Sequence, residues 1–184
     1  MAIGDSKTLG TPYSLNTNGY RDELLRNLKL FSQENDVEWS GALVAGGKTT
    51  AQTLADFPAF AAAQTQAPDV VLINLGTNDL DLLGTGVLTR AEWKTSTAGL
   101  LDAIHTEWPS AKVYCMRVIY TLYPTEQDNM ADVDLPDVLS TRSSWAFVGP
   151  DERDFLPGFL TDQKHPNVEG YHLTALQWQS ILGY

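Results

Sequence analysis

Apolar positions along the chain alternate between two spacings. Short runs rich in β-branched residues are followed by longer stretches in which apolar residues recur every three or four positions. Val70–Leu75, Val-Val-Leu-Ile-Asn-Leu, is the strongest strand signal, continuous as in a parallel strand covered on both faces. Met1–Ile3, Val37–Ala45, Lys112–Tyr120 and Trp145–Val148 read as four further strands, the first of them short. Tyr20–Phe31 sets Leu24, Leu25, Leu28 and Phe31 at helical spacing, and Thr50–Gln66 predicts an Ala-rich helix broken or kinked at Pro58. Thr89–Glu107 predicts a long helix with Trp93, Leu100, Leu101 and Ile104 toward the core. Thr89 and Glu92 have the spacing of a capping box at its start. Leu122–Arg142, rich in Pro, Asp and Thr, reads as an irregular connection, and Asn167–Leu182 as the closing helix.

Strands separated by helices imply an α/β protein: a three-layer α/β/α sandwich around a doubly wound, mostly parallel five-stranded sheet of flavodoxin-like layout. Neither an internal repeat nor a linker divides the chain, so residues 1–184 are expected to form a single domain. The length suits a domain with a real core, and a 43% hydrophobic content argues against disorder. No apolar run approaches a membrane span. The N-terminus is too short and too uncharged for a signal peptide, so the chain is expected to be soluble: either cytoplasmic, or secreted as a mature or excised domain. Its location is otherwise unknown. The single Cys115 excludes an internal disulfide. A net charge of -11 disfavours nucleic acid and anionic membranes as partners and is compatible with a neutral ester or sugar; solubility alone also accounts for it.

In doubly wound sheets ligands gather at the carboxyl ends of strands. The candidate chemistry falls there in four loops: Ser6 after the first strand, Gly46-Gly47-Lys48-Thr49 after the second, Gly76-Thr77-Asn78-Asp79 after the third, and Asp162 with His165 before the last helix. A serine hydroxyl becomes a useful nucleophile when an imidazole takes its proton and a carboxylate fixes that imidazole's tautomer. Asp162 and His165, three residues apart, can reach inward from one loop. Gly47-Lys48-Thr49 imitates a phosphate loop, but Ala42 stands where that pattern needs glycine. One cysteine and three scattered histidines offer no metal-ligand spacing, so neither metal nor cofactor is expected. His105 and His172 lie in predicted helices and read as structural.

Gly4-Asp5-Ser6, Gly47, Gly76-Thr77-Asn78-Asp79 and Asp162-x-x-His165-Pro166, in this order over nearly the whole chain, resemble the four blocks of the SGNH (GDSL-type) hydrolases. Within that family the chain looks most like small acyl esterases and carbohydrate (acetyl) esterases. The resemblance implies Ser6 as nucleophile, His165 as base and Asp162 as its orienting partner. It also implies an oxyanion hole made of the Ser6 N–H, the Gly47 N–H and the Asn78 side-chain amide. Asp5 and Asp79 are expected to brace their loops. Tyr120, Tyr123 and Trp145, beside the connection that precedes the last loop, are candidate substrate contacts, and Asp5 a further one. If that connection is loop-like, the site is open and suits a small acyl group on a bulky alcohol.

The expected function is therefore hydrolysis of short-chain, acetyl-type esters of a small molecule or carbohydrate through an acyl-enzyme. The alternatives are lysophospholipase-like, thioesterase-like or acyltransferase activity on longer acyl chains, or a carbohydrate-binding module without catalysis.

Overall fold

The computed structural model describes residues 1–10, 19–32 and 37–184, without the side chains at 31 and 32, so Phe31's place in its stripe lies outside the described residues. Five parallel strands form one sheet in the order β2-β1-β3-β4-β5: β1 (Ala2–Gly4), β2 (Ala42–Val44), β3 (Val70–Asn74), β4 (Lys112–Arg117) and β5 (Ala146–Asp151). The interior strand β1 is only three residues long and fully buried, its last residue Gly4 level with Val44 on one side and Asn74 on the other.

Alternate strand residues face opposite layers, as the pleat requires. Ile3, Val71, Ile73, Val113 and Cys115 pack under Phe57 of α3 (Thr50–Ala62) and Trp93, Leu100, Leu101 and Ile104 of α5 (Arg90–Glu107). Leu72 and Met116 meet Tyr20, Leu24 and Leu28 of α2 (Tyr20–Ser32) and Tyr171, Ala175 and Trp178 of α9 (Val168–Ile181) on the other face. The three layers are those the alternation of elements predicts. β1 leads through α2 to its neighbour β2, and the chain then returns through α3 on the opposite face to β3. The connections after β1 and β3 lead to opposite faces at this switch, the place where doubly wound sheets commonly hold ligands.

Several elements differ from the sequence reading. Strand geometry within Val37–Ala45 is confined to Ala42–Val44, while Val37 and Trp39 pack against the α2–α9 cluster. Helix α3 continues through Pro58 and ends at Ala62. Gly76-Thr77-Asn78-Asp79 is the start of a helix, α4 (Thr77–Gly84), rather than a free turn.

The larger correction concerns Leu122–Arg142, which is helical from Pro124 to Ser140: α6 (Pro124–Asn129), a π-helical turn (Met130–Asp134) and α7 (Leu135–Ser140). Pro124 and Pro136 both occupy first-turn positions, where a missing N–H costs little. The extra residue of the π turn lets the segment continue past Pro136 with Met130, Ala131, Leu135, Val138 and Leu139 in the core. The loop-like segment from which an open site was expected is thus a packed helix. A short α8 (Glu152–Phe155) follows β5.

Candidate active site

At the end of β1 the chain turns directly into α1 (Ser6–Leu9), with Asp5 as its cap: Asp5 Oδ1 accepts from Lys7 N at 3.0 Å. The corner requires Gly4. A β-carbon there would lie 1.9 Å from Thr8 Oγ1 and 2.8 Å from Asn74 O. Ser6 is the first helical residue, so its N–H has no acceptor within the helix.

The partner of Ser6 comes from the far end of the chain. Residues 159–167 form a small loop closed by an antiparallel bridge between Leu160 and Pro166 and by Thr161 N donating to His165 O at 2.8 Å. Inside it Asp162 Oδ1 accepts the N–H groups of Lys164 (2.8 Å) and His165 (2.7 Å), a local turn that aspartate is suited to make. Asp162 Oδ2 is 2.8 Å from His165 Nδ1, and the opposite ring nitrogen, Nε2, lies 3.0 Å from Ser6 Oγ. Hydroxyl, imidazole and carboxylate stand in one hydrogen-bonded row. Such a row can hold the proton on Nδ1 and leave Nε2 free to take one from the hydroxyl.

The carboxylates near this row differ sharply. Burial alone would raise the Asp162 carboxyl, but the side-chain and backbone hydrogen bonds from His165, with the one from Lys164 N, outweigh it and hold the group down at about 2. Asp162 therefore stays ionised as a partner for an imidazolium. Asp5 is fully buried, and desolvation pushes its carboxyl up to about 6 against the opposing charge of Lys7. Asp79 is also raised by burial, while Thr50 N and Thr50 Oγ1, both 3.0 Å from its Oδ2, oppose that rise. It ties the starts of α3 and α4 together, the bracing expected of it.

The Gly46-Gly47 loop forms a turn closed by Lys48 N donating to Ala45 O at 3.4 Å. Gly47 occupies its third position with φ +78°, a place a side chain rarely tolerates. The Gly47 N–H is not the donor that closes the turn. A β-carbon on Gly46 would stand 3.9 Å from Ser6 Cβ, so this turn lies against the serine. Asn78, in the first turn of α4, sends its Nδ2 to Lys48 O at 2.9 Å and to Asp5 Oδ2 at 3.4 Å. Ser6, Gly47, Asn78, Asp162 and His165 are thus gathered at one edge of the sheet.

Of the aromatic candidates, Tyr120 and Tyr123 adjoin this edge and Trp145 does not. Tyr120 lies under Lys164 Nζ, 5.0 Å from the ring centroid, and donates its hydroxyl to Asp81 Oδ1 at 3.2 Å. Burial, and then the charge of Asp81, raise that phenol to about 12. Tyr123 packs edge-on to Tyr120 and against Gly84. Trp145 precedes β5 at the amino end of the sheet, where its carbonyl accepts from Val113 N at 2.9 Å, and its ring stacks on His105 with centroids 4.2 Å apart. Strand direction sends its neighbourhood away from Ser6, so it is removed from the candidate contacts. His172 pairs with Glu23 on the outer side of α9. No group of metal-ligating side chains occurs among the described residues. Among them no helix is long and apolar enough to cross a membrane.

Sequence reasoning missed the groups that fasten the site. Thr121 N donates to Gln163 O at 3.0 Å, which pins the Asp162–His165 loop to the chain after β4. Lys7 pairs with Glu152 beneath Ser6. Both are long-range contacts between residues with no shared local pattern.

A family model described as the GDSL-like lipase/acylhydrolase family matches residues 2–173. An uncharacterized protein of Mycoplasma pneumoniae is 35% identical over 117 residues; the match takes in 61% of this chain, but the chain spans only 12% of that relative's length. Among solved structures, TesA superposes with a TM-score of 0.75 at 21% identity, covering 99% of this chain and 96% of that one. An acetyl esterase mutant with acetate ion gives 0.79 at 18%, covering 99% and 94%. A mutant of Axe2, an acetylxylan esterase from Geobacillus stearothermophilus, gives 0.74 at 17%, covering 100% and 93%. At these identities the three establish a shared fold.

Proposed function

The chain belongs to the GDSL-like lipase/acylhydrolase family, carboxylic ester hydrolases by class, and from that premise we propose that it is a serine esterase acting through Ser6 on short-chain acyl esters. The observation that carries the reading is the row from Ser6 Oγ through His165 to Asp162, with both heavy-atom separations at hydrogen-bond length. The likeness to an acetyl esterase and an acetylxylan esterase supports the short acyl group and makes an acetylated carbohydrate the natural candidate.

As Ser6 Oγ attacks the carbonyl carbon, its proton passes to His165 Nε2, and the imidazolium is stabilised by ionised Asp162. The charge that develops on the carbonyl oxygen is received by the N–H groups of Ser6 and Gly47 and by Asn78 Nδ2, whose longer contact, to Asp5 Oδ2, is the one the oxyanion replaces. Collapse expels the alcohol, which takes the proton from His165. Water then attacks the acyl-enzyme while His165 takes its proton, and the acid leaves with Ser6 restored. Every proton in the cycle is carried by His165.

The test is hydrolysis of p-nitrophenyl esters from acetate to palmitate by wild type, Ser6→Ala and His165→Ala. Turnover of acetate and butyrate, falling by at least 1,000-fold in both variants, is expected. Wild-type rates in Ser6→Ala would sink the mechanism. Rates that climb beyond about eight carbons would replace the short-chain reading with the long-chain one.

A further inference from the structure

Ser6 is carried by a four-residue helix, too short to fix its own orientation through internal hydrogen bonds. Its neighbour supplies an anchor. Lys7 is fully buried; its Nζ donates to Ile119 O at 3.0 Å and pairs with the equally buried Glu152. Glu152 Oε1 accepts from Asn74 Nδ2 at 3.2 Å, and Oε2 accepts from Ile119 N at 2.9 Å. One carboxylate thereby joins the residue after Ser6, the last residue of β3, the segment that follows β4 and the first residue of α8.

Stability does not explain this pair. Desolvating two charges largely cancels their attraction, and apolar groups of the same size commonly serve as well or better. What the ion pair adds is direction. Packing alone tolerates sliding, whereas Glu152, itself held by Asn74 Nδ2 and Ile119 N, gives the Lys7 ammonium a directional anchor and so limits where the backbone beside Ser6 can sit. Lys7 is adjacent in sequence to Ser6, whose Oγ must stay within hydrogen-bond reach of His165 Nε2. Neither Lys7 nor Glu152 touches the reacting atoms.

We infer that the Lys7–Glu152 pair is the positioning element of the nucleophile, setting Ser6 Oγ opposite His165 rather than adding to the stability of the fold. The inference rests on the reading of Ser6 as nucleophile.

The experiment compares wild type with the double variant Lys7→Met/Glu152→Gln, which removes both charges at nearly constant volume. The readouts are the rate of Ser6 labelling by a fluorophosphonate probe, kcat and KM on p-nitrophenyl acetate, and the midpoint of thermal unfolding. The expected result is a midpoint near that of wild type and a KM within twofold, with labelling and kcat reduced at least tenfold together. Wild-type labelling and kcat in the folded double variant overturn the inference, as does a loss confined to the unfolding midpoint. If the double variant does not fold, Glu152→Asp decides: it keeps the charge but shortens the reach by one methylene. Labelling at least threefold slower with unchanged KM is then expected, and a wild-type rate overturns the inference. A wild type that the probe does not label at Ser6 refutes the nucleophile itself, a separate outcome.

Discussion

Two aspartates near Ser6 show how position sets the behaviour of one side-chain type. Asp162 is held down at about 2 by donors within its own loop, and Asp5 is pushed up to about 6 by burial beneath α1. For Asp5 the folded state holds the proton more tightly than the unfolded state, so its contribution to stability is greatest below about pH 4 and declines as pH rises toward 6. Asp5→Asn keeps a side-chain oxygen for the Lys7 N cap but cannot ionise. The advantage of Asp5→Asn over wild type in urea unfolding is therefore expected to grow between pH 4 and 6 and to level off above. An advantage independent of pH would show that Asp5 does not titrate as described. At this scale the sequence was most informative where chemistry is local: Asp162 and His165 share one turn, and Ser6 directly follows a strand. It was silent on Glu152, whose partner Lys7 lies 145 positions away, and it misplaced Trp145, because proximity in sequence to the Leu122–Arg142 connection says nothing about which end of β5 a residue occupies.

Elements were legible in proportion to the simplicity of their periodicity. Helix α5 begins where the Thr89–Glu92 spacing placed it, with both reciprocal hydrogen bonds of the capping box formed. Thr89→Ala is expected to cost about 1 kcal/mol, read as a lower unfolding midpoint in urea at unchanged slope, since the box is an exposed helix cap. The stretch from Pro124 to Ser140 concealed its helix for two physical reasons. Its prolines serve as starts of turns rather than breaks, and the π turn inserts a residue that shifts the apolar positions out of a 3.6-residue rhythm. Arg153 reinforces this segment from β5 and α8, pairing with Asp128 and Asp132 on one side and Asp151 on the other. Strand ends were less legible than strand centres, as Val37–Ala45 shows. Backbone pairing ends where the partner strand ends, and β1 beside it is three residues long.

In the whole molecule, the distance between layers is fixed by a few intimate contacts. Trp178 of α9 is fully buried against β5, and a β-carbon on Gly149 would lie 2.8 Å from its ring and 3.1 Å from the Cys115 carbonyl carbon. Gly149→Ala must therefore lift α9 or bend the strand. It is expected to destabilise by about 1–3 kcal/mol, seen as a fall in Tm of several degrees. The same contact between β5 and α9 helps bring the loop before α9 up to the sheet edge, so His165 depends on the packing of the outer layer as well as on its own turn.

The separation of Ser6 and His165 along the chain has a temporal consequence. Ser6 and His165 meet at 3.0 Å although 159 positions separate them. A ribosome adding ~5–20 residues per second delivers Ser6 on the order of ten seconds or more before His165. Throughout that interval the Ser6 hydroxyl lacks the imidazole that faces it in the folded chain. The row from Ser6 through His165 to Asp162, on which the proposed mechanism rests, is therefore completed only when the loop before α9 reaches the sheet edge.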